Sequence, residues 1–503
     1  MANSFQDFLF PSRGLPASSK PLEGSRGYKS ALGLGLVGAG AAALLVCFHW
    51  SIALLGALVV LVFSAIESEA FLLFVIFLMP IGWMLPGNPP VRNMNVLFHS
   101  LVIVGFFAGR LLRGETRLGH LLHPAVSRAS LVFLCAAVAP TILAKGELTR
   151  ESGRADFDLL AFVGFYFVVL AWVNSRERIR KVLWAVLLST IITAVFAFYQ
   201  EIVDGFTSLG LFLYPPDEHS VTWEGRAGSF LGSANNLAGY LNLVLPFALA
   251  CYVLGRGKWK KIGGCTFLLG SLALFSTQSI GGLMGFLANL VLAIFCFVGS
   301  RKKRRALLAG ICGLTCILYL LLYIISPVHT QQYLESDAVT RFLLWQTAWN
   351  YFVGSPVIGV GWGNFTALYG LDLTSFNPGE LAVHNIYLQL LSETGLVGFV
   401  SFFYLVIQSW RQARNQLRGS LEFLDSALAF GVLGALLSIL VHGFVDFLFH
   451  VDAQFGTLCW ALMALLVVSG QLQDKSVAGG VRVPSAGALA GRSGKMIPGT
   501  AMP

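Results

Sequence analysis

Long apolar runs separated by short polar joints make up most of this chain. A helix that crosses a bilayer needs about 20 mostly apolar residues. By that measure the sequence predicts spans near 31–48, 51–66, 70–86, 95–112, 129–144, 157–173, 181–199, 236–254, 262–278, 281–299, 306–326, 386–409, 426–444 and 455–469. The second and third are short and joined by "ESE". No unit repeats along the chain, and no soluble domain is appended. The predicted fold class is all-α: a polytopic membrane protein of about 14 transmembrane helices (31–470), with a loop at 327–385 carrying short helices. Residues 1–30 and 471–503 read as flexible tails. The first is rich in Pro, Ser and Gly and lacks the apolar core of a signal peptide.

Composition agrees with this pattern. Of 503 residues, 56% are hydrophobic and 12% charged, whereas soluble domains carry about 25% charged residues. The net charge of +9 would suit nucleic-acid binding, but the placement of the cations gives another reason for it. With the N-terminus in the cytoplasm and loops alternating, 28 of the 34 Lys and Arg fall on the cytoplasmic side, as the positive-inside rule requires. Both termini are then cytoplasmic in a multi-pass inner-membrane protein, and no nucleic-acid partner is needed. The eight cysteines lie in apolar runs without a CxxC pair, so neither a zinc site nor a disulfide framework is predicted.

The same topology leaves two sizeable outside segments, roughly 200–235 and 327–385, each richer in acid than base. Arg226 and Arg341 stand out there. "GLGLVG" at Gly33–Gly38 matches a dinucleotide fingerprint but lacks the preceding strand, and helix packing by small residues explains it better. "VTRFLLWQTAWNYFVGSP" predicts an amphipathic helix ended by Gly354 and Pro356. Arg341, Trp345 and Trp349 recur at i, i+4 and i+8 on one stripe, suited either to a phosphate and sugar rings or to lipid headgroups. The "VIGVGWGNF" that follows is a Gly-rich turn able to approach a ligand closely.

In "LAVHNIYLQLLSETGLVG", His384 and Asn385 stand where a polar loop enters an apolar helix. A helix start favours anions and a neutral imidazole, and a neutral imidazole is what a general base needs; a capping or lipid-interface histidine is the plainer reading. Glu393, nine residues on, falls on the opposite helix face from His384. "VHGFVDFLFHVD" places His442, Asp446 and His450 at i, i+4 and i+8, a spacing compatible with metal ligands or with a polar stripe satisfied by neighbouring helices. "GRAGSFLGSANNLAGY" brings Arg226 and the Asn235/Asn236 pair to the start of a span; capping explains the asparagines but not the arginine. The spans carry few charges away from their ends, which argues against a coupled transporter.

Taken together, "TRFLLWQTAWNYFVGSPVIGVGWGNF" and "HNIYLQLLSETGLVG" resemble the signature of the bacterial O-antigen ligase and polymerase family. "RAGSFLGSANNLAGYLNLVLP" and "VHGFVDF" are similar to its flanking segments, so the likeness covers roughly 222–470. The resemblance implies a metal-independent glycosyltransferase without cofactors. Its donor would be an undecaprenyl-diphosphate-linked oligosaccharide, passed on the periplasmic side to an acceptor hydroxyl of a glycan, lipid or protein. His384 would be the base and Arg341 the cation that meets the diphosphate, with Arg226, Trp345, Asn385 and Trp349 binding substrate. One position departs from the family pattern: "STQSIGG" has Ile280 where many members carry an arginine, and Arg226 is the candidate to replace it. The rival reading is a transporter or flippase of lipid-linked sugars.

Overall fold

The computed structural model describes residues 50–81, 94–115, 119–143, 150–204, 226–325, 327–365, 368, 382–419, 422–446 and 453–478. Among these residues there is no strand, and fourteen α-helices follow one another: α1 (Trp50–Ala65), α2 (Glu69–Leu78), α3 (Met94–Leu112), α4 (Ala125–Leu143), α5 (Arg150–Trp172), α6 (Arg176–Val203), α7 (Ala234–Leu254), α8 (Gly257–Ser276), α9 (Ile280–Phe297), α10 (Arg301–Ile325), α11 (Pro327–Gly354), α12 (Ile386–Gly419), α13 (Phe423–His442) and α14 (Ala453–Ala478). Helices occupy every predicted span except the first, 31–48, which lies outside the described residues together with "GLGLVG" and most of both tails.

Fourteen helices agree with the predicted all-α polytopic fold, and they differ in how fully each can cross a bilayer. Eight helices among the described residues are long and apolar enough to cross a membrane: α4, α5, α6, α7, α9, α12, α13 and α14, in whole or in part. α1 and α2 meet at 120° and count together as one broken span at most. The physical cause is the "ESE" joint. Glu67 takes a left-handed backbone at φ 51°, its carboxylate receives Arg110 and Arg113 of α3 and the turn after it, and Glu69 receives Arg178 and Lys181 of α6. With 10 residues, α2 is only about 15 Å long at 1.5 Å per residue, half a hydrocarbon core. The described part of the 327–385 segment is dominated by α11, a helix of 28 residues that stops at Gly354 as the sequence predicts.

Small residues let the helices touch. Gly105 and Gly109 of α3 form a GxxxG ridge, and a Cβ at either would strike the α1 backbone at Leu61 and Ala65, the close approach that small residues permit in lipid. The core that carries the site is α7, α9 and α13. Buried amides zip it: Asn242 donates to the Gly282 carbonyl (2.7 Å), and Asn289 donates to Ser438 Oγ (2.7 Å), which donates in turn to the Gly285 carbonyl (3.1 Å). The paired cations Arg110, Arg113, Arg176, Arg178 and Lys181 gather at one end of the bundle. The first turns of α9 and α12 meet the last turn of α13 at the other.

Candidate active site

The site grows from the meeting of two antiparallel helix ends. α13 finishes at His442, and the chain turns so that Asp446 N–H returns to the His442 carbonyl (3.1 Å). α12 begins under an Asn385 cap, whose Oδ1 accepts from the N–H groups of Tyr387 and Leu388 (3.0 Å each); such a cap contributes about 1 kcal/mol. Three bonds tie the two ends together. Asn385 Nδ2 donates to the Phe444 carbonyl (3.1 Å), Ile386 N–H to the Gly443 carbonyl (2.7 Å) and Tyr387 Oη to the Leu440 carbonyl (2.7 Å). Asn385, expected to touch substrate, is thus occupied as a cap and a tie.

Held this way, His384 adopts φ 49°, a left-handed conformation that costs a non-glycine residue on the order of 1–3 kcal/mol and is characteristic of functional sites. Its ring reaches Asp446, with Nδ1 3.2 Å from Oδ1. A carboxylate only accepts, so Nδ1 is the donor, and in the neutral form of the ring Nε2 is the nitrogen with the free lone pair. The His384 side chain is 28% exposed and Asp446 10%. On the other side of the carboxylate lies His442, its Nε2 3.8 Å from Oδ2, too far for a hydrogen bond. His442 is buried, and neither ring nitrogen has a hydrogen-bond partner among the described residues. Gly281 presses against it so closely that a Cβ there would strike the ring. The two histidine motifs, separate in the sequence, are one cluster; His450 lies outside the described residues.

α11 closes the cluster from above. Arg341 Nη1 donates to the Val445 carbonyl, next to Asp446, and Trp345 Nε1 donates to the Val383 carbonyl (3.0 Å), next to His384. Leu344 and Ala348 anchor this face on Phe365 and Val383. Trp349 departs from the expected stripe: it is 50% exposed and packs on Phe352, because the buried face follows Leu344 and Ala348.

Arg226 is placed differently again. Its Nε donates to the Thr277 carbonyl (2.9 Å) and Nη2 to Asn235 Oδ1 (3.1 Å). It therefore braces the turn between α8 and α9 that carries Ile280, whose side chain is 54% exposed. Gly281, the next residue, is the one against His442. Arg226 joins the cluster through this turn, with no direct bond to His384 or Asp446.

The Gly-rich segment after α11 approaches protein, not ligand. α12 breaks at Gly395 (φ 61°, ψ −164°), which frees the carbonyls of Ser392 and Glu393. Val360 and Gly361 N–H groups fill them (2.9 Å each), while Leu396 and Val397 N–H groups bond back to the carbonyls of Pro356 (2.9 Å) and Val357 (3.2 Å). Glu393 is buried in the same joint, its Oε1 accepting from Phe365 N–H (3.1 Å) and Gln389 Nε2 (2.6 Å). It is not the orienting partner of His384, whose ring is held by Asp446 instead. A Cβ at Gly395 would meet the Val357 carbonyl, on top of a strain of about 1–3 kcal/mol for the backbone. Gly395→Ala is therefore expected to lower the thermal unfolding midpoint and the yield of detergent-extracted protein; an unchanged midpoint would contradict the joint.

Comparison with known proteins places these features. Residues 265–403 match the family described as O-antigen ligase. This segment includes Arg341, Trp345, His384 and Glu393, and excludes Arg226, His442 and Asp446. The chain is similar to the teichuronic acid biosynthesis protein TuaE of Bacillus subtilis (strain 168), 23% identical over 336 residues, which are 62% of this chain and 65% of that protein. The match thus spans just under two thirds of the relative's length. The chain is therefore similar, over the segment that holds Arg341, Trp345 and His384, to the O-antigen ligase family, and the helices long and apolar enough to cross a membrane agree with that likeness.

Proposed function

We propose that the protein transfers a glycan from undecaprenyl diphosphate to an acceptor hydroxyl on the periplasmic face of the inner membrane. The observation that carries this reading is the imidazole of His384, held at Nδ1 by Asp446 at 3.2 Å, with the Arg341 guanidinium bonded to the Val445 carbonyl next to that carboxylate. His384 Nε2 takes the acceptor proton as the acceptor oxygen attacks the anomeric carbon. The bond from that carbon to the diphosphate oxygen breaks, and the lipid diphosphate leaves with both electrons. Arg341 offsets the charge that develops on the leaving group, and Asp446 stabilises the imidazolium formed in the same step. Asn385 and the Val383 and Val445 carbonyl ties are positioning elements. Trp345 supports the loop before His384, and the exposed Trp349 offers a ring face at the rim.

A proteoliposome assay with radiolabelled lipid-diphosphate oligosaccharide tests the proposal. Transfer frees unlabelled lipid diphosphate and moves the label to the acceptor; a flippase only relocates intact labelled lipid across the bilayer, and that outcome would overturn the enzymatic reading. Arg226 is proposed as the second cation, reaching the diphosphate from the turn that Ile280 opens. Ile280→Arg is then expected to leave transfer unchanged or to raise it, since the side chain already faces out of the protein. A strong loss of initial rate in that variant would show that the cleft cannot take an arginine there.

A further inference from the structure

The basic end of the bundle is divided in two. In one half carboxylates pair five of the cations: Glu67 pairs with Arg110 and Arg113, Glu69 with Arg178 and Lys181, and Glu422 and Asp425 share Arg176. In the other half no carboxylate takes that part. From Arg226 to Leu334 the sequence holds ten Lys and Arg and no Asp or Glu. Nine of the ten fall in two stretches, Arg256, Lys258, Lys260 and Lys261 at the start of α8 and Arg301–Arg305 at the start of α10. Among the described residues none of the nine has an ion pair. All but Arg304 are exposed.

The two stretches are neighbours. Trp259 of α8 packs on Phe423 (5.9 Å) and Phe297 of α9 on Phe430 (4.6 Å), positions seven residues apart on α13 and so about 10 Å apart along its axis. Both stretches open helices whose first turns contain no acid, although peptide dipoles already make such ends positive. Each also borders apolar surface. Lys260 lies over the exposed ring of Tyr252 (5.4 Å), and Arg304 over that of Phe295 (5.7 Å). Beyond them, none of the described side chains of Arg301–Gly313 is buried. Charge above and exposed rings and aliphatic surface below is the layering of a headgroup boundary.

We propose that the ends of α8 and α10 form a binding surface for anionic phospholipids of the inner leaflet. The two cationic stretches take the headgroup phosphates, while Tyr252, Phe295 and the bare side of α10 take the acyl chains. Positive-inside topology alone asks only for cations; it does not account for the complete absence of acids here when four carboxylates pair five cations elsewhere at the same end. The ring contacts favour lipid over an acidic protein or a nucleic acid as the counterion.

The full-length protein would be reconstituted in discs of phosphatidylcholine mixed with phosphatidylglycerol, and its bound lipids counted by native mass spectrometry as salt is raised. Wild type is expected to retain phosphatidylglycerol several-fold above its share of the mixture, with the excess lost at high salt. Arg301→Gln/Lys302→Gln/Lys303→Gln/Arg305→Gln should bring retention down to the bulk ratio. Removal of charge at α10 can also disturb insertion, so Lys258→Gln/Lys260→Gln, which keeps the α10 stretch, is the second variant and should lose part of the excess. Retention at the bulk ratio in wild type, or an excess that survives in both variants, would overturn the proposal. So would wild type that shows no lipid preference yet binds polyglutamate or an oligonucleotide through these residues.

Discussion

His384→Ala is expected to cut glycan transfer by roughly 10²–10⁴-fold, the usual contribution of a positioned general base, while insertion and apparent size stay normal. The backbone at His384 is left-handed and its ring is tied to Asp446 rather than packed in the core, so removal of the ring costs little stability. Asp446→Asn should fall in a similar range for a different reason. An amide nitrogen turned toward Nδ1 would donate where the carboxylate accepts, placing the proton on Nε2 and abolishing the base. The two residues act as one unit, so the double variant should be no slower than His384→Ala alone. Initial rates of lipid-diphosphate release measure all three. Near-normal transfer by His384→Ala would remove the base from the mechanism.

Arg341→Ala is expected to lower kcat by about 10²–10³-fold, the loss typical of a charge aimed at a developing anion. Lysine at 341 should recover little of it. One arm of the guanidinium is engaged by the Val445 carbonyl, and a phosphate needs further donors held in a fixed plane, which a single ammonium cannot offer. The Val445 bond also suggests a competing role, in which Arg341 merely holds the turn that bears Asp446. The two roles separate in the kinetics. A brace would be partly rescued by lysine and would shift the pH profile set by His384; a leaving-group cation would lower kcat with that profile intact.

Much of the membrane architecture can be read in the sequence because apolar length is a local property. A run such as Ala234–Leu254 needs no partner to declare itself, and helices occupy each predicted span that is described. Which helices cross is harder to read. The bend between α1 and α2 depends on Arg110, Arg113, Arg178 and Lys181 reaching Glu67 and Glu69 from up to 112 residues away, and no window of sequence contains that. The site shows the same division. His384, Arg341 and Trp345 are conspicuous as polar residues among apolar ones. Their junction with Asp446 and His442 is a tertiary fact, although one hint existed: both histidine motifs fall at the same predicted outer end of adjoining spans. The Gly-rich segment misled for a related reason. Glycine announces close approach but not to what, and the partner here is the break at Gly395, about 35 residues further along the chain and outside any local window of sequence.

The imidazole and the carboxylate that orients it ride on helices running in opposite directions. A slide of α12 against α13 by one residue's rise, about 1.5 Å, would carry the 3.2 Å contact out of bonding range. Bilayers of unsuitable thickness make helices tilt or shift to match them. Acyl-chain length is therefore a control on the chemistry: turnover should peak in membranes whose depth keeps the two helix ends level, and should fall in thinner or thicker ones even while substrate remains bound.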